Sequence, residues 1–287
     1  MKNFFALLTV AASALMLAAC SDGSNNDTTT ESSAGSMTLE QAVNDNPARS
    51  ANNLKRDIYR NPVETLRFFE VEPDMTVVEI WPGSGWYTEI LAPYLKENGQ
   101  LYAAHFAQSE TRDYYVSSRE QFAERVANDP AFSDVIITEF APNADSEIAP
   151  AGSADRVLTF RNLHNWYMNS GTDGVQAAFE TFYTALKPGG ILGVVDHRLP
   201  EDRPDTHMDS SGYMKQSLAI DAAEAAGFEF VGASDINANP DDTADYPRGV
   251  WTLPPTLGLG EEDLERYLAI GESDRFTLKF KKPESSS

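Results

Sequence analysis

A single cysteine, Cys20, occurs among 287 residues, so no disulfide can form within the chain. Cations are scarce as well: 22 lysines and arginines stand against 44 aspartates and glutamates, a net charge of −22. Such a surface argues against nucleic acid or anionic lipid as a partner. Histidine is rarer still, with four residues in all. No apolar run, residues 4–19 included, is long enough to cross a bilayer as a mature helix, and no internal repeat is visible.

What the first residues do contain reads as an export signal. Lys2 supplies the positive start, residues 4–19 the apolar stretch, and Leu17-Ala18-Ala19-Cys20 a small-residue processing site. That tetrapeptide resembles the lipobox of bacterial lipoproteins, which implies lipidation of Cys20 as the new N-terminus. Ser21 after it implies the outer membrane, facing the periplasm or the cell surface. The expected organisation is a signal peptide over 1–20, a disordered tether over 21–36 with almost nothing to bury, and one domain over 37–287. Within that domain, helices fill 37–70 and the core spans 71–282.

Thr38-Leu39-Glu40-Gln41 has the form of a capping box. A second helix is expected over 49–60, and a third begins at Pro62 with Asn61 as its cap. Strands are then expected at 75–80, 100–106, 135–140, 156–160, 191–196, 229–234 and 275–281, with helices at 88–96, 113–128, 175–186, 213–226 and 261–270. This alternation predicts an α/β fold, a mostly parallel seven-stranded sheet with helices on both faces. The last strand alternates apolar and polar residues, as an antiparallel strand near a sheet edge does.

The chemistry is expected at the strand ends. Val77-Val78-Glu79-Ile80 runs into Trp81-Pro82-Gly83-Ser84-Gly85 and a helix. Glycines at such a turn bring backbone N–H groups close to a ligand at a helix N-terminus, and Glu79 can accept hydrogen bonds from a ligand's amine or hydroxyls. His105, His164 and His197 each follow a strand, at the ends that border the crevice of an open parallel sheet. His207 lies in the loop after the fifth strand. Loop 236–260 contains Trp251, Leu253 and Leu257 and is expected to pack as a lid or as a buried anchor. Ser234 to Asp242 reads as a turn rich in capping side chains, not as a cation site.

The layout over 62–282 resembles the class I S-adenosylmethionine-dependent methyltransferases, a Rossmann-like fold. Glu79 to Gly85 matches the family's cofactor loop, and Leu186-Lys187-Pro188-Gly189-Gly190-Ile191-Leu192 its approach to the fifth strand. Asn162-Leu163-His164-Asn165-Trp166, Val195-Asp196-His197-Arg198, Val250-Trp251-Thr252-Leu253-Pro254-Pro255 and Gly271-Glu272-Ser273-Asp274-Arg275 resemble a group of bacterial methyltransferases known by sequence.

The resemblance implies S-adenosyl-L-methionine as cofactor, held by Glu79, Gly83, Ser84, Gly85, His105 and Asn162. It implies transfer to a small-molecule acceptor, with His164 or His197 as base and Asp196 orienting an imidazole, although Asp196 and His197, as neighbours on one strand, point to opposite faces. Trp166 and Tyr167 would wall a sulfonium. Two positions depart from the pattern: Trp81 replaces the loop's first glycine, and His105 the acid that grips the ribose. No metal is expected. Two alternatives remain: a scaffold or binding lipoprotein on a drifted methyltransferase frame, and a metal-dependent hydrolase using the histidines.

Overall fold

The computed structural model describes residues 37–284. The signal peptide, Cys20 and the tether lie outside the described residues. Four short helices open the domain: α1 (Leu39–Asn44), α2 (Ala51–Leu54), α3 (Asp57–Arg60) and α4 (Pro62–Phe68). There follow β1 (Thr76–Ile80), α5 (Thr88–Leu95), β2 (Gln100–Phe106), α6 (Asp113–Asn128), β3 (Ile136–Phe140), β4 (Ala154–Phe160) and α7 (Leu163–Ala185). The chain ends with β5 (Leu186–Leu199), β6 (Met214–Lys215), α8 (Gln216–Ala225), β7 (Glu229–Ser234), α9 (Leu264–Ile270) and β8 (Arg275–Lys281).

The main sheet has the order β3-β2-β1-β4-β5-β8-β7, with the two-residue β6 added beside the end of β5. Pairs from β3 to β5 are parallel, and β8 runs antiparallel to both β5 and β7. Successive residues of a strand face opposite ways, and the core divides accordingly. Val78, Val157 and Val194 pack with α7 and α8 on one face; Val77, Leu101 and Leu158 pack with α4 and α5 on the other. Because both faces are covered, β1 and β5 are continuous apolar runs rather than alternating ones. The chain order reverses between β1 and β4, so the carboxyl ends of these strands form the rim where an open α/β sheet takes ligands.

Three expectations needed correction. The helix expected over 49–60 is two short helices. Ser50 caps Asn53, and Arg49 stays outside, bonded to Asp57 at 2.6 and 2.8 Å. The helix expected from 175 starts at Leu163 and carries a break at Gly171 (φ 63°), whose polar neighbours hid the first half. The expected helix starts at 213 and 261 give way to Gln216 and Leu264. β8 is antiparallel and stands next to the edge strand β7, as its alternation suggested. Its polar positions are covered, Thr277 by Asn237 and Lys279 by Glu70.

Candidate functional site

β5 runs past its pairing with β4 and carries Asp196 and His197, still inside the strand and paired with β8 rather than following it, and the first turn of α7 brings His164 across to them. Asp196 is fully buried. Its Oδ1 receives the His164 Nδ1–H at 2.9 Å and the His197 backbone N–H at 2.7 Å, and its Oδ2 receives the His164 backbone N–H at 3.3 Å. The carboxylate therefore orients His164, on a different strand exit, and not its neighbour His197. Bonding at Nδ1 leaves Nε2 as the acceptor nitrogen, which the Asn165 side-chain amide meets at 3.0 Å. The His164 and His197 rings lie 5.1 Å apart, and His197 Nδ1 is 2.5 Å from Ser273 Oγ. Burial, then His164, Arg275, Arg161 and Arg60, hold the His197 imidazole well below the ordinary range, so it stays neutral.

The loop after β1 is pinned at several points. Trp81 sits at φ 46°; its backbone N–H donates to Ala104 O at 2.8 Å and its indole N–H to Phe140 O at 2.9 Å. Its ring packs among Phe106, Tyr115, Phe140 and Trp166. Gly83 (φ 59°) has open space where a side chain would start, and it lines a cavity together with Ser84. Asn162 lines the same cavity while its amide ties β4 to β1 through Ile80 O at 2.8 Å.

Three residues expected at the cofactor turn away from the cavity. Gly85 sits against Phe122 and Thr88. His105 is fully buried, with Nε2 3.1 Å from Gly83 O and Nδ1 accepting the Phe106 N–H, and burial lowers its imidazole to about 4. Glu79 is buried and accepts the Thr88 hydroxyl at 2.6 Å; burial raises its carboxyl to about 7. These side chains hold the turn in shape.

The buried Glu79 has a measurable consequence. Below its ordinary value of 4.5 both folded and unfolded chains are protonated there; from 4.5 to about 7 only the unfolded chain ionises. Stability therefore falls as pH rises through this window. Glu79→Gln, which still accepts from Thr88, is expected to gain on the wild type across it, on the order of 3 kcal/mol by pH 8. Urea unfolding at pH 5 and pH 8 measures this, and an equal difference at both values would refute it.

The cavity has a volume of about 420 Å³. His164 and His197 reach it, Trp86, Phe106, Tyr115 and Phe160 form its walls, and Val250, Trp251, Pro254 and Pro255 of loop 236–260 form its roof. Trp251 lies 6.2 Å from the His164 ring, ring centre to ring centre. Four arginines not expected from the sequence, Arg56, Arg60, Arg161 and Arg275, also line it, with Glu272 among them. Glu272 pairs with Arg56 at 2.5 Å, with Arg60 at 3.3 Å and with Arg275. Burial alone would raise its carboxyl, but Arg60, Arg275 and Arg56 outweigh burial and hold it well below the usual range. The phrase around Glu272 and Arg275 was a signal for these residues; Arg56 and Arg60, apart in sequence from every motif, gave none.

A second recess of about 310 Å³ lies at the ends of β2 and β3, lined by Phe140, Ala141 and Trp166. Trp81 and Phe106 border both spaces. Trp166 lines only the second recess and Tyr167 lines neither, so the aromatic wall of the main cavity is built from other rings than expected. His207 lines a separate recess with Tyr246 and Arg248. The capping expectation for this segment holds for Asp242, which accepts the Ala244 N–H; the side-chain N–H groups of Asn237 and Asn239 and the other Asp242 oxygen instead tie the segment to Thr277, Ile270 O and the Asp274 N–H far along the chain. One nitrogen or oxygen from each of His164, Asp196 and His197 lies within 4.8 Å of the others, but three arginines close by oppose a divalent cation there.

No family model matches the chain, and no curated protein matches it. Among solved structures it is similar to a SAM-dependent methyltransferase from Aquifex aeolicus, at 15% identity over 79% of this chain and 93% of that one, with a TM-score of 0.52. A candidate sarcosine dimethylglycine methyltransferase from Galdieria sulphuraria matches at 11% identity over 81% and 86%, with a TM-score of 0.54. The [4+2]-cyclase SpnF matches at 15% identity over 78% and 82%, with a TM-score of 0.51. These likenesses show the fold to be that of the class I methyltransferases.

Proposed function

We propose that the chain is an S-adenosylmethionine-dependent methyltransferase acting on a small molecule. The observation that carries this reading is that His164, oriented by buried Asp196, opens onto the same cavity as the Gly83–Ser84 turn. Bound S-adenosylmethionine would supply a methyl group on a sulfonium. Gly83, Ser84 and Asn162 would hold its amino-acid end, and Phe160 and Tyr115 would face the sulfonium. The recess between Phe106, Phe140 and Trp166 offers aromatic faces to a flat base, with polar side chains such as Glu110 and Asn169 at its rim. Between the two, the fit is poorer: no carboxylate stands at the end of β2, and the Trp81 indole walls one space from the other.

The chain's own residues would do the rest. His164 Nε2 takes the proton of the acceptor's hydroxyl or amine, with the Asn165 amide giving way to it, and Asp196 stabilises the imidazolium that forms. The roof of Trp251 and its neighbours keeps water from that nitrogen. Titrating S-adenosylhomocysteine into the folded protein by calorimetry tests the reading: saturable binding is expected. Silence at millimolar ligand would favour a second reading, a binding protein on the same frame, which the Trp81 wall supports.

The proposal includes the exported, lipid-anchored setting, supported by Leu17-Ala18-Ala19-Cys20. Cell fractionation should find the wild type with membranes and Cys20→Ser free of them. Equal partitioning of both would count against a lipid anchor.

A further inference from the structure

The charge of the cavity is the reverse of the charge of the protein. Acids outnumber bases 44 to 22 in the sequence, yet the cavity lining has four arginines and a single glutamate. Glu272 is shared by Arg56, Arg60 and Arg275, so one carboxylate answers three guanidiniums. Asp196, the other carboxylate nearby, is committed to His164.

Arg161 is the fourth. It sits at the exit of β4 at φ 62°, a conformation that costs a non-glycine residue about 1–3 kcal/mol, and its backbone N–H bonds Val195 O at 2.7 Å. Among the described residues its guanidinium has no hydrogen bond and no ion pair. Burial, reinforced by Arg275, lowers it to about 10, so it is still charged at neutral pH. Arg275 adds a buried Nε without a partner. Arg161 is half-buried, so its unpaired guanidinium is presented to the cavity rather than sealed in the core. A fold that keeps such a group in strained backbone beside a cavity has a use for it once a partner arrives.

We propose that the cavity takes a small molecule bearing an oxyanion, a carboxylate or a phosphate, which pairs with Arg161 and completes the charge balance of Arg60 and Arg275. The planar fork of arginine matches the two oxygens of either group. On the methyl-transfer reading, on which this part rests, that molecule is the acceptor: its anionic end is held by Arg161 and its hydroxyl or amine is served by His164 on the same cavity. The oxyanion site itself does not depend on that reading.

Benzoate and inorganic phosphate, titrated by calorimetry at constant ionic strength without cofactor, test the proposal and separate the two oxyanions. At least one is expected to bind saturably, about tenfold or more weaker in Arg161→Gln and unchanged in Arg266→Gln, an exposed arginine on α9. Arg161→Lys, which keeps the charge and loses the fork, should retain part of the affinity and covers the case in which the glutamine variant does not fold. No binding of either probe to the wild type, or binding indifferent to residue 161, overturns the proposal.

A second arm compares S-adenosylhomocysteine with methylthioadenosine, which lacks the amino-acid end. If Arg161→Gln weakens only the former, and the probes compete with it, the arginines hold the cofactor's own carboxylate and the acceptor assignment falls. If probes bind through Arg161 while S-adenosylhomocysteine does not bind, the oxyanion site stands and methyl transfer falls.

Discussion

Replacing His164 by alanine is expected to lower turnover by about 10²–10⁴-fold, the usual contribution of a positioned general base. S-adenosylhomocysteine binding should change little, because no cofactor contact is assigned to His164. Asp196→Asn should lose activity on a similar scale for a different reason. Its amide can donate to His164 Nδ1, which would move the ring proton to Nε2 and leave no lone pair for the acceptor. Because Asp196 also receives two backbone N–H groups, this variant should lose stability too; His164→Ala, which leaves the buried carboxylate without its side-chain donor, should also melt below the wild type. Transfer of labelled methyl to carboxylate- and phosphate-bearing phenols and amines supplies the assay. A folded His164→Ala that matches wild-type turnover would remove the base from the mechanism.

Trp81→Gly should raise affinity for S-adenosylhomocysteine by about tenfold or more. The indole is the wall shared by cavities of about 420 and 310 Å³, and removing it joins them where the ribose of an adenosyl group would cross. Glycine also suits the backbone at φ 46°. The cost is packing: the ring contacts Phe106, Tyr115, Phe140 and Trp166, and its loss should lower stability by about 3–5 kcal/mol, partly offset by the relieved backbone. Titrations therefore belong at low temperature. Unchanged or weaker binding in this variant would mean that the ligand does not cross at Trp81.

Much of the fold was legible because both faces of the sheet are covered. That leaves strands as uninterrupted apolar runs such as Ile191 to Val195, bounded by glycine and charge. What misled was polarity with a partner out of sight along the chain. Thr277 and Lys279 read as exposed because Asn237 and Glu70 come from distant segments. The site behaved in the same way. His164, Asp196, His197, Gly83, Ser84 and Asn162 were placed at the rim by their position after strands, and they are at or beside it. His105 and Glu79 stand at equally suggestive positions, yet the alternation of strand side chains turns both inward. Arg56 and Arg60 were invisible and the role of Arg161 unreadable, because a guanidinium's role depends on which carboxylates pair with it, and Glu272 is taken by Arg56, Arg60 and Arg275.

On the proposed function, one cavity seats both the methyl donor and the base that prepares the acceptor. A crystal structure of the chain grown with S-adenosylhomocysteine addresses it directly. The ligand's sulfur is expected in the cavity of His164, beside Gly83 and Ser84, with its adenine toward Phe106 and Phe140. A ligand seated elsewhere, or an unchanged Trp81 wall with both spaces empty at saturating concentration, would contradict it.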